Sequence, residues 1–191
     1  MSAGERRGHL LALFTIMVWG TTFLSTSVLL RDFTPLEILI IRMALGIAAH
    51  NNAQPEPLPQ PRHIVVVSPG EVPWNDGEKS RMKGLNERDV SIDYAFMVTV
   101  EKFMRHGCEN VPDYMLSGSR GDFTGVGDIH FFYSADEVLY GALPDFEEAC
   151  KRANVPYTVS ARPKMVHCYC MLPIFREAKE DFGKIVEILK K

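Results

Sequence analysis

The sequence predicts an α/β fold, in which a parallel sheet of about three strands with flanking helices follows one or two N-terminal membrane helices. Three observations support this prediction. Residues 10–30 carry no charged side chain and are long enough, as a helix, to cross the hydrocarbon core of a membrane. After residue 62, short β-branched or aromatic runs alternate with amphipathic stretches, which is the order of an α/β domain. Between these regions lies a proline-rich segment, residues 50–62, with no apolar periodicity.

The N-terminal region has the pattern of a membrane protein. Arg6 and Arg7 precede the first apolar run, so the positive-inside rule places the N-terminus in the cytoplasm. The second apolar run, residues 36–49, contains Glu37 and Arg42, and each charge costs roughly 2.5–3.5 kcal/mol at the centre of a membrane. The first run is therefore predicted to span, whereas the second is a marginal helix. A signal peptide is the competing interpretation of the first run, but no small-residue cleavage site follows it.

This region resembles the start of an EamA-type drug/metabolite transporter. The resemblance is carried by W-G-T-T-F in the first apolar run and by T-P-x-E-I-x-x-x-R at the opening of the second, within residues 8–49. A transport path requires several helices around a central cavity, and this chain offers at most two. Transport by this chain alone is therefore not expected.

Strands and helices alternate after residue 62. In chain order the predicted elements are strand His63–Val67, helix 92–105, strand Asp128–Tyr133, helix 143–153, strand 157–160 and helix 174–189. The strands HIVVV and DIHFFY are short runs of β-branched and aromatic residues. Asp89 or Ser91 is expected to cap the first helix, Gly107 to stop it, and Asn154 to end the second. Right-handed crossovers between these strands make the sheet parallel.

Polar residues follow the second and third predicted strands. Residues 134–139, SADEVL, carry two adjacent acids, and residues 161–169, ARPKMVHCY, carry one histidine. Functional groups collect at the carboxyl ends of parallel strands. A carboxylate beside an imidazole can orient that ring as a general base. The sequence therefore predicts an acid–histidine pair at this edge of the sheet, with the choice of acid open.

Residues 63–190 resemble the C-terminal part of an α/β-hydrolase of the esterase/lipase type related to hormone-sensitive lipase. The matching segments are V-V-S-P-G, D-E-V-L, F-E-E-A-C-K-R-A-N-V-P-Y and K-M-V-H-C-Y. The resemblance implies that Glu137 is the triad acid, with Asp136 as the alternative, and that His167 is the general base. It also implies carboxylic ester hydrolysis without a cofactor.

Two motifs of that family are absent from the 191 residues, namely the G-x-S-x-G nucleophile elbow and the H-G-G-G-type oxyanion loop. Ser119 precedes a strand instead of following one, and Ser68 is followed by Pro69, which has no N–H for an oxyanion. Neither serine is predicted as the nucleophile. Because a triad acts as a unit worth on the order of 10⁶ in rate, this region is expected to be inactive alone. An ester substrate is expected only if an N-terminal half is supplied separately.

Net charge and cysteine spacing argue against nucleic-acid binding, a disulfide framework and a cysteine metal site. A net charge of −3 gives no reason to expect a nucleic-acid partner. The four cysteines form no C-x-x-C pair, so neither a disulfide framework nor a metal site at Cys168, Cys170 and His167 is predicted.

The expected organisation is a transporter-like membrane segment at residues 1–50, a linker at 51–62 and an α/β-hydrolase-like region at 63–191. Residues 10–49 are expected to attach the chain to a membrane. The C-terminal region lies in the cytoplasm if both apolar runs insert, which is the expected arrangement, and faces outward if only the first run inserts. The alternatives to the hydrolase are a membrane-tethered interaction module, a transporter fragment, and a fused or misjoined reading frame without a function of its own.

Overall fold

The structure is a computed structural model that describes residues 45, 46, 48–104, 110–172 and 174–191, with the backbone alone described at residues 103 and 104. The first predicted membrane run, residues 10–30, and most of the second, residues 36–49, lie outside the described part of the chain. Within that part, no helix combines the length and the apolar character that a membrane span requires.

The sheet consists of three parallel strands in the order β1–β2–β3. The strands are β1 His63–Val67, β2 Asp128–Ser134 and β3 Tyr157–Arg162. In the register, β2 lies centrally and places Asp128 opposite His63 and Ile129 opposite Tyr157. The predicted parallel three-stranded sheet is confirmed, with β2 and β3 extending slightly beyond their predicted ends.

Helices flank the sheet on both faces. They are α1 Asp76–Leu85, α2 Tyr94–Met104, α3 Asp113–Leu116, α4 Leu143–Arg152 and α5 Arg176–Leu189. Three correspond to predicted helices. The predicted start of α2 at residue 92 is wrong because the Asp89 side chain accepts the N–H groups of Ser91 and Ile92 and holds them in a turn. The predicted start of α5 at residue 174 is wrong because Phe175 is still extended.

Helix α1 was not predicted from the sequence. Its segment, DGEKSRMKGL, is polar and contains two glycines, so it shows no apolar periodicity. It forms because the Asn75 side chain caps it by accepting the backbone N–H of Glu78 at 2.7 Å. Met82, on the same helix, is fully buried. A single buried apolar side chain, the buried Glu78 and one cap therefore replace the amphipathic pattern.

The sheet separates two apolar layers, because successive strand residues face opposite sides. In the larger layer Ile64 and Phe131 pack with Phe146 of α4. In the smaller layer Val65 and Phe132 pack beneath α5. Both faces of the sheet are thus covered, as parallel sheets require.

The proline-rich segment packs against the α/β region. Ala49 is buried in the larger apolar layer. The Asn52 side chain donates to the backbone carbonyls of Asp122 and Thr124 at 2.9 and 3.0 Å, and Gln60 donates to the Asn52 side chain. The predicted linker, residues 51–62, is therefore held on the α/β core, while the domain boundaries at residues 50 and 62 stay a prediction.

Candidate active site

The loops after the three strands meet at the carboxyl end of the sheet. Ser68 follows β1, Glu137 follows β2 and His167 lies in the loop after β3. The strands are parallel, so these loops come together at one edge. This is the edge at which the sequence predicts an acid–histidine pair.

Glu137 and His167 form a direct ion pair. The Oε2 atom of Glu137 lies 2.7 Å from Nδ1 of His167. Its other oxygen, Oε1, accepts hydrogen bonds from the Ser68 hydroxyl at 2.8 Å and from the Ser134 backbone N–H at 2.9 Å. The glutamate is 1% exposed. A buried carboxylate is tolerated here because both of its oxygens have partners.

Asp136, the alternative acid, points elsewhere. Its Oδ2 accepts the Lys164 backbone N–H at 2.6 Å, and its Oδ1 lies 3.7 Å from the Arg88 guanidinium. The Lys164 contact ties the loop after β2 to the loop after β3, and the Arg88 contact ties it to the turn after α1. The geometry therefore favours Glu137 as the partner of His167, and the catalytic roles of both residues stay a prediction.

Three left-handed residues border this pair. Ser68, Lys164 and Cys168 have φ angles of 46°, 60° and 54°, although none of them is glycine. The left-handed conformation costs an ordinary residue roughly 1–2 kcal/mol, and such residues cluster at functional sites. Two of these residues are in direct contact, since the Cys168 backbone N–H donates to the Ser68 hydroxyl at 3.1 Å.

The other nitrogen of His167 contacts a thiol. Its Nε2 lies 3.1 Å from Sγ of Cys168. In a hydrolytic triad the ring nitrogen opposite the acid faces the nucleophile. The structure thus places Cys168 where a nucleophile is expected, which sequence reasoning did not anticipate. The only signal in the sequence is the adjacency of His167 and Cys168, and adjacency alone does not predict that two side chains meet.

Electrostatics favour the protonated form of His167. Burial of the ring opposes its charge, but hydrogen bonds to the Cys168 sulfur and to the Glu137 carboxylate outweigh burial and raise the pKa of His167 to about 10. The ring therefore carries a proton at neutral pH. A protonated imidazole cannot accept a proton, so the described arrangement shows the base in its charged form.

The two serines that the sequence did not favour as nucleophiles both bind carboxyl groups. Ser68 donates to Glu137, as described above. Ser119 is 3% exposed, and its hydroxyl and its backbone N–H lie 2.7 Å from the two oxygens of Glu71. Burial and the neighbouring Glu78 raise the pKa of Glu71 to about 9. No described contact links either serine hydroxyl to His167.

Comparison with known proteins identifies structural neighbours only. No protein-family model matches the sequence, and no curated protein sequence matches it. An esterase from the bacterial hormone-sensitive lipase (HSL) family matches with a TM-score of 0.63 and 21% identity, over 78% of this chain and 50% of that chain.

Two further solved structures agree with that match. EstE5-PMSF matches with a TM-score of 0.61 and 19% identity, over 78% of this chain and 49% of that chain. EstE7, an HSL homologue from a metagenome library, has a TM-score of 0.62 at 20% identity and is covered over 50% by 75% of this chain. The chain thus shares the fold of HSL-family esterases and spans about half of their length.

Proposed function

We propose that residues 63–191 supply the acid and the base of a carboxylic ester hydrolase of the α/β-hydrolase type. The observation that carries this proposal is the 2.7 Å contact between Glu137 and Nδ1 of His167 at the carboxyl end of a parallel sheet. The likeness in fold to HSL-family esterases supports it.

In this proposal each group has its own role. Glu137 fixes the ring through Nδ1, so Nε2 is the nitrogen that exchanges a proton with the nucleophile and then with the leaving alcohol. Glu137 also stabilises the imidazolium that forms when the ring takes this proton. The nucleophile elbow and the oxyanion loop are absent from the sequence. We therefore propose that this chain turns over esters only when a segment carrying both motifs is supplied.

Complementation tests this proposal. The full chain is assayed with a short-chain p-nitrophenyl ester, first alone and then co-expressed with the N-terminal half of EstE5. In this proposal, that half supplies the nucleophile elbow and the oxyanion loop. We expect turnover only in the mixture, and its loss in His167→Gln. Absence of turnover in the mixture contradicts the proposal. Turnover that survives His167→Gln removes the base assignment.

The same assay has a thiol control. Cys168→Ala is compared with the wild-type chain in the absence of the EstE5 segment. Turnover by the wild-type chain alone contradicts the requirement for a second segment. If that turnover is lost in Cys168→Ala, the nucleophile is the thiol beside His167.

We also propose that residues 10–49 hold the chain on a membrane with the C-terminal region in the cytoplasm. The charge-free first run and the two arginines before it support a first span with its N-terminus in the cytoplasm. The C-terminal region then returns to the cytoplasm only if the second run, residues 36–49, also spans, and both spans are part of this proposal. Alkaline carbonate extraction is expected to leave the chain in the membrane pellet. The double variant Phe14→Lys/Val18→Lys is expected to be released, because each lysine costs roughly 2.5–3.5 kcal/mol in the membrane. Release of the wild-type chain contradicts the proposal.

A further inference from the structure

Two histidines and an aspartate meet at the amino end of the sheet, opposite the Glu137–His167 pair. His63 is the first residue of β1 and lies opposite Asp128, the first residue of β2. His130 lies two residues further along β2, so it shares a face of the sheet with Asp128. The register of two strands, and not a sequence motif, brings these side chains together.

Two ring nitrogens in this cluster are buried without a hydrogen-bond partner among the described residues. They are Nδ1 of His63 and Nε2 of His130. Nδ1 of His63 also lies 3.4 Å from Oδ2 of Asp128, beyond good hydrogen-bond distance. Buried polar atoms are nearly always partnered, so an orphaned pair facing one carboxylate indicates a missing ligand.

The donor set fits a zinc-type ion. The ligand atoms of His63, Asp128 and His130 all lie within 4.8 Å of one another. Zinc binds histidine nitrogen and carboxylate oxygen at about 2.0–2.2 Å. The cluster must therefore contract slightly around the ion. The Asp128 side chain is 44% exposed and free to turn inward.

His130 is prepared for metal binding by its surroundings. Its Nδ1 lies 2.8 Å from the Thr158 hydroxyl on β3, a contact that orients the ring and leaves Nε2 for the ion.

We propose that His63, Asp128 and His130 bind one divalent transition-metal ion of the zinc type. Three protein ligands leave the fourth tetrahedral position to water on the side of the exposed aspartate. The ion ties the amino end of β1 to that of β2. This site is independent of the proposed hydrolase function, since it lies at the other end of the strands.

Metal titration tests the site. The full chain, stripped of metal with a chelator, is titrated with Zn²⁺ by calorimetry and with Co²⁺ by visible absorption. We expect one ion per chain, with histidine and carboxylate coordination. His63→Gln, Asp128→Asn and His130→Gln are each expected to weaken Zn²⁺ binding by about 100-fold or more, because each removes a ligand. Thr158→Val, which removes only the orienting contact, is expected to weaken it by about 10-fold.

Two controls locate the ion. His50→Gln removes an exposed histidine elsewhere, and Cys168→Ala removes the thiol beside His167; both are expected to bind Zn²⁺ as the wild-type chain does. Binding that is lost in Cys168→Ala overturns the proposal, as does absence of binding by the wild-type chain or full affinity in all three ligand variants. Circular dichroism in metal-free buffer checks folding. Asp128→Asn, at a half-exposed position, carries the test if a histidine variant unfolds.

Discussion

The carboxyl and amino ends of the sheet both place a histidine beside a carboxylate, but they treat the ring differently. At the carboxyl end both nitrogens of His167 have partners, Glu137 and Cys168, and the pKa of the ring is raised. At the amino end Nε2 of His130 has no described partner, and burial lowers the pKa of that ring. At the carboxyl end hydrogen bonds to Cys168 and Glu137 outweigh burial of the ring, whereas at the amino end burial outweighs the charge of Asp128. This contrast supports the proposed base at one end of the sheet and the proposed metal ligand at the other.

The largest expected effect concerns the buried contacts of Asp181, which hold the carboxyl end of the sheet against α5. Asp181 of α5 is fully buried and accepts hydrogen bonds from Arg162 at the end of β3 and from the Tyr169 hydroxyl, just after His167. We expect Arg162→Met to lower the free energy of unfolding by about 3 kcal/mol, because it leaves a buried carboxylate short of its main partner. Urea denaturation measures this loss.

The matched control is Glu180→Ala, which removes a 41%-exposed partner of the same arginine. A change below about 1 kcal/mol is expected there. Equal losses in the two variants contradict the assignment of Asp181 as the buried anchor. Burial opposes charge on Asp181, but hydrogen bonds from Arg162, Lys184 and Tyr169 prevail and lower its pKa. The stability from this group is therefore present above the ordinary aspartate pKa and lost as the pH falls below it.

The next effect addresses the Glu137–His167 pair itself. Glu137→Gln is expected to lower the pKa of His167, because it removes a carboxylate that stabilises the imidazolium. NMR titration of the ring measures this shift. Asp136→Asn is the control, since Asp136 bonds to Lys164 and not to the ring. A larger shift in Asp136→Asn than in Glu137→Gln reverses the choice of acid.

The raised pKa of His167 also predicts the pH dependence of stability. The folded chain holds this proton more tightly than the unfolded chain, so the stabilisation is fully present below about pH 6.5 and is lost as the pH rises towards 10. The free energy of unfolding, measured by denaturation at each pH in this range, is expected to decline in the wild-type chain and to decline less in Glu137→Gln. Identical declines in the two chains contradict the pairing.

A smaller, kinetic effect concerns the thiols. Cys168 is half-buried beside His167, whereas Cys150 and Cys170 are buried and burial raises the pKa of each. Iodoacetamide is expected to label Cys168 at least about 10-fold faster than either, because Cys168 is more accessible and burial disfavours the thiolate form of the other two. Peptide mass spectrometry measures the three rates. His167→Gln is expected to slow labelling of Cys168 alone, and uniform slowing of all three contradicts the contact.

The smallest effect is expected at the amino end. In metal-free buffer Asp128→Asn is expected to change the free energy of unfolding by less than about 1 kcal/mol, because the Asp128 side chain is 44% exposed and its contact to His63 is long. Thermal or urea unfolding measures this change. A loss as large as that of Arg162→Met removes the contrast between the two ends of the sheet.

The candidate site was only partly predictable. Glu137 and His167 follow predicted strands, and the parallel order brings such loops together. Cys168 was missed because its contact depends on a left-handed backbone, with φ 54°, that no local pattern predicts. Glu71 and Glu78 resemble ordinary solvated acids in the sequence, yet both are buried, since the backbone N–H groups of Ser119 and Trp74 reach them.

The sequence by itself determined the strands, their parallel order and the loops that carry an acid and a histidine. Periodicity and β-branched runs are local properties, and the crossover rule converts them into a sheet. The tertiary structure decided the rest. It placed Glu137, and not Asp136, beside His167, held the proline-rich segment on the core and aligned His63 with Asp128. Each of these outcomes depends on contacts between groups that are far apart in the sequence. The burial and the hydrogen bonds that such contacts create decide whether a side chain is charged, neutral or without a partner.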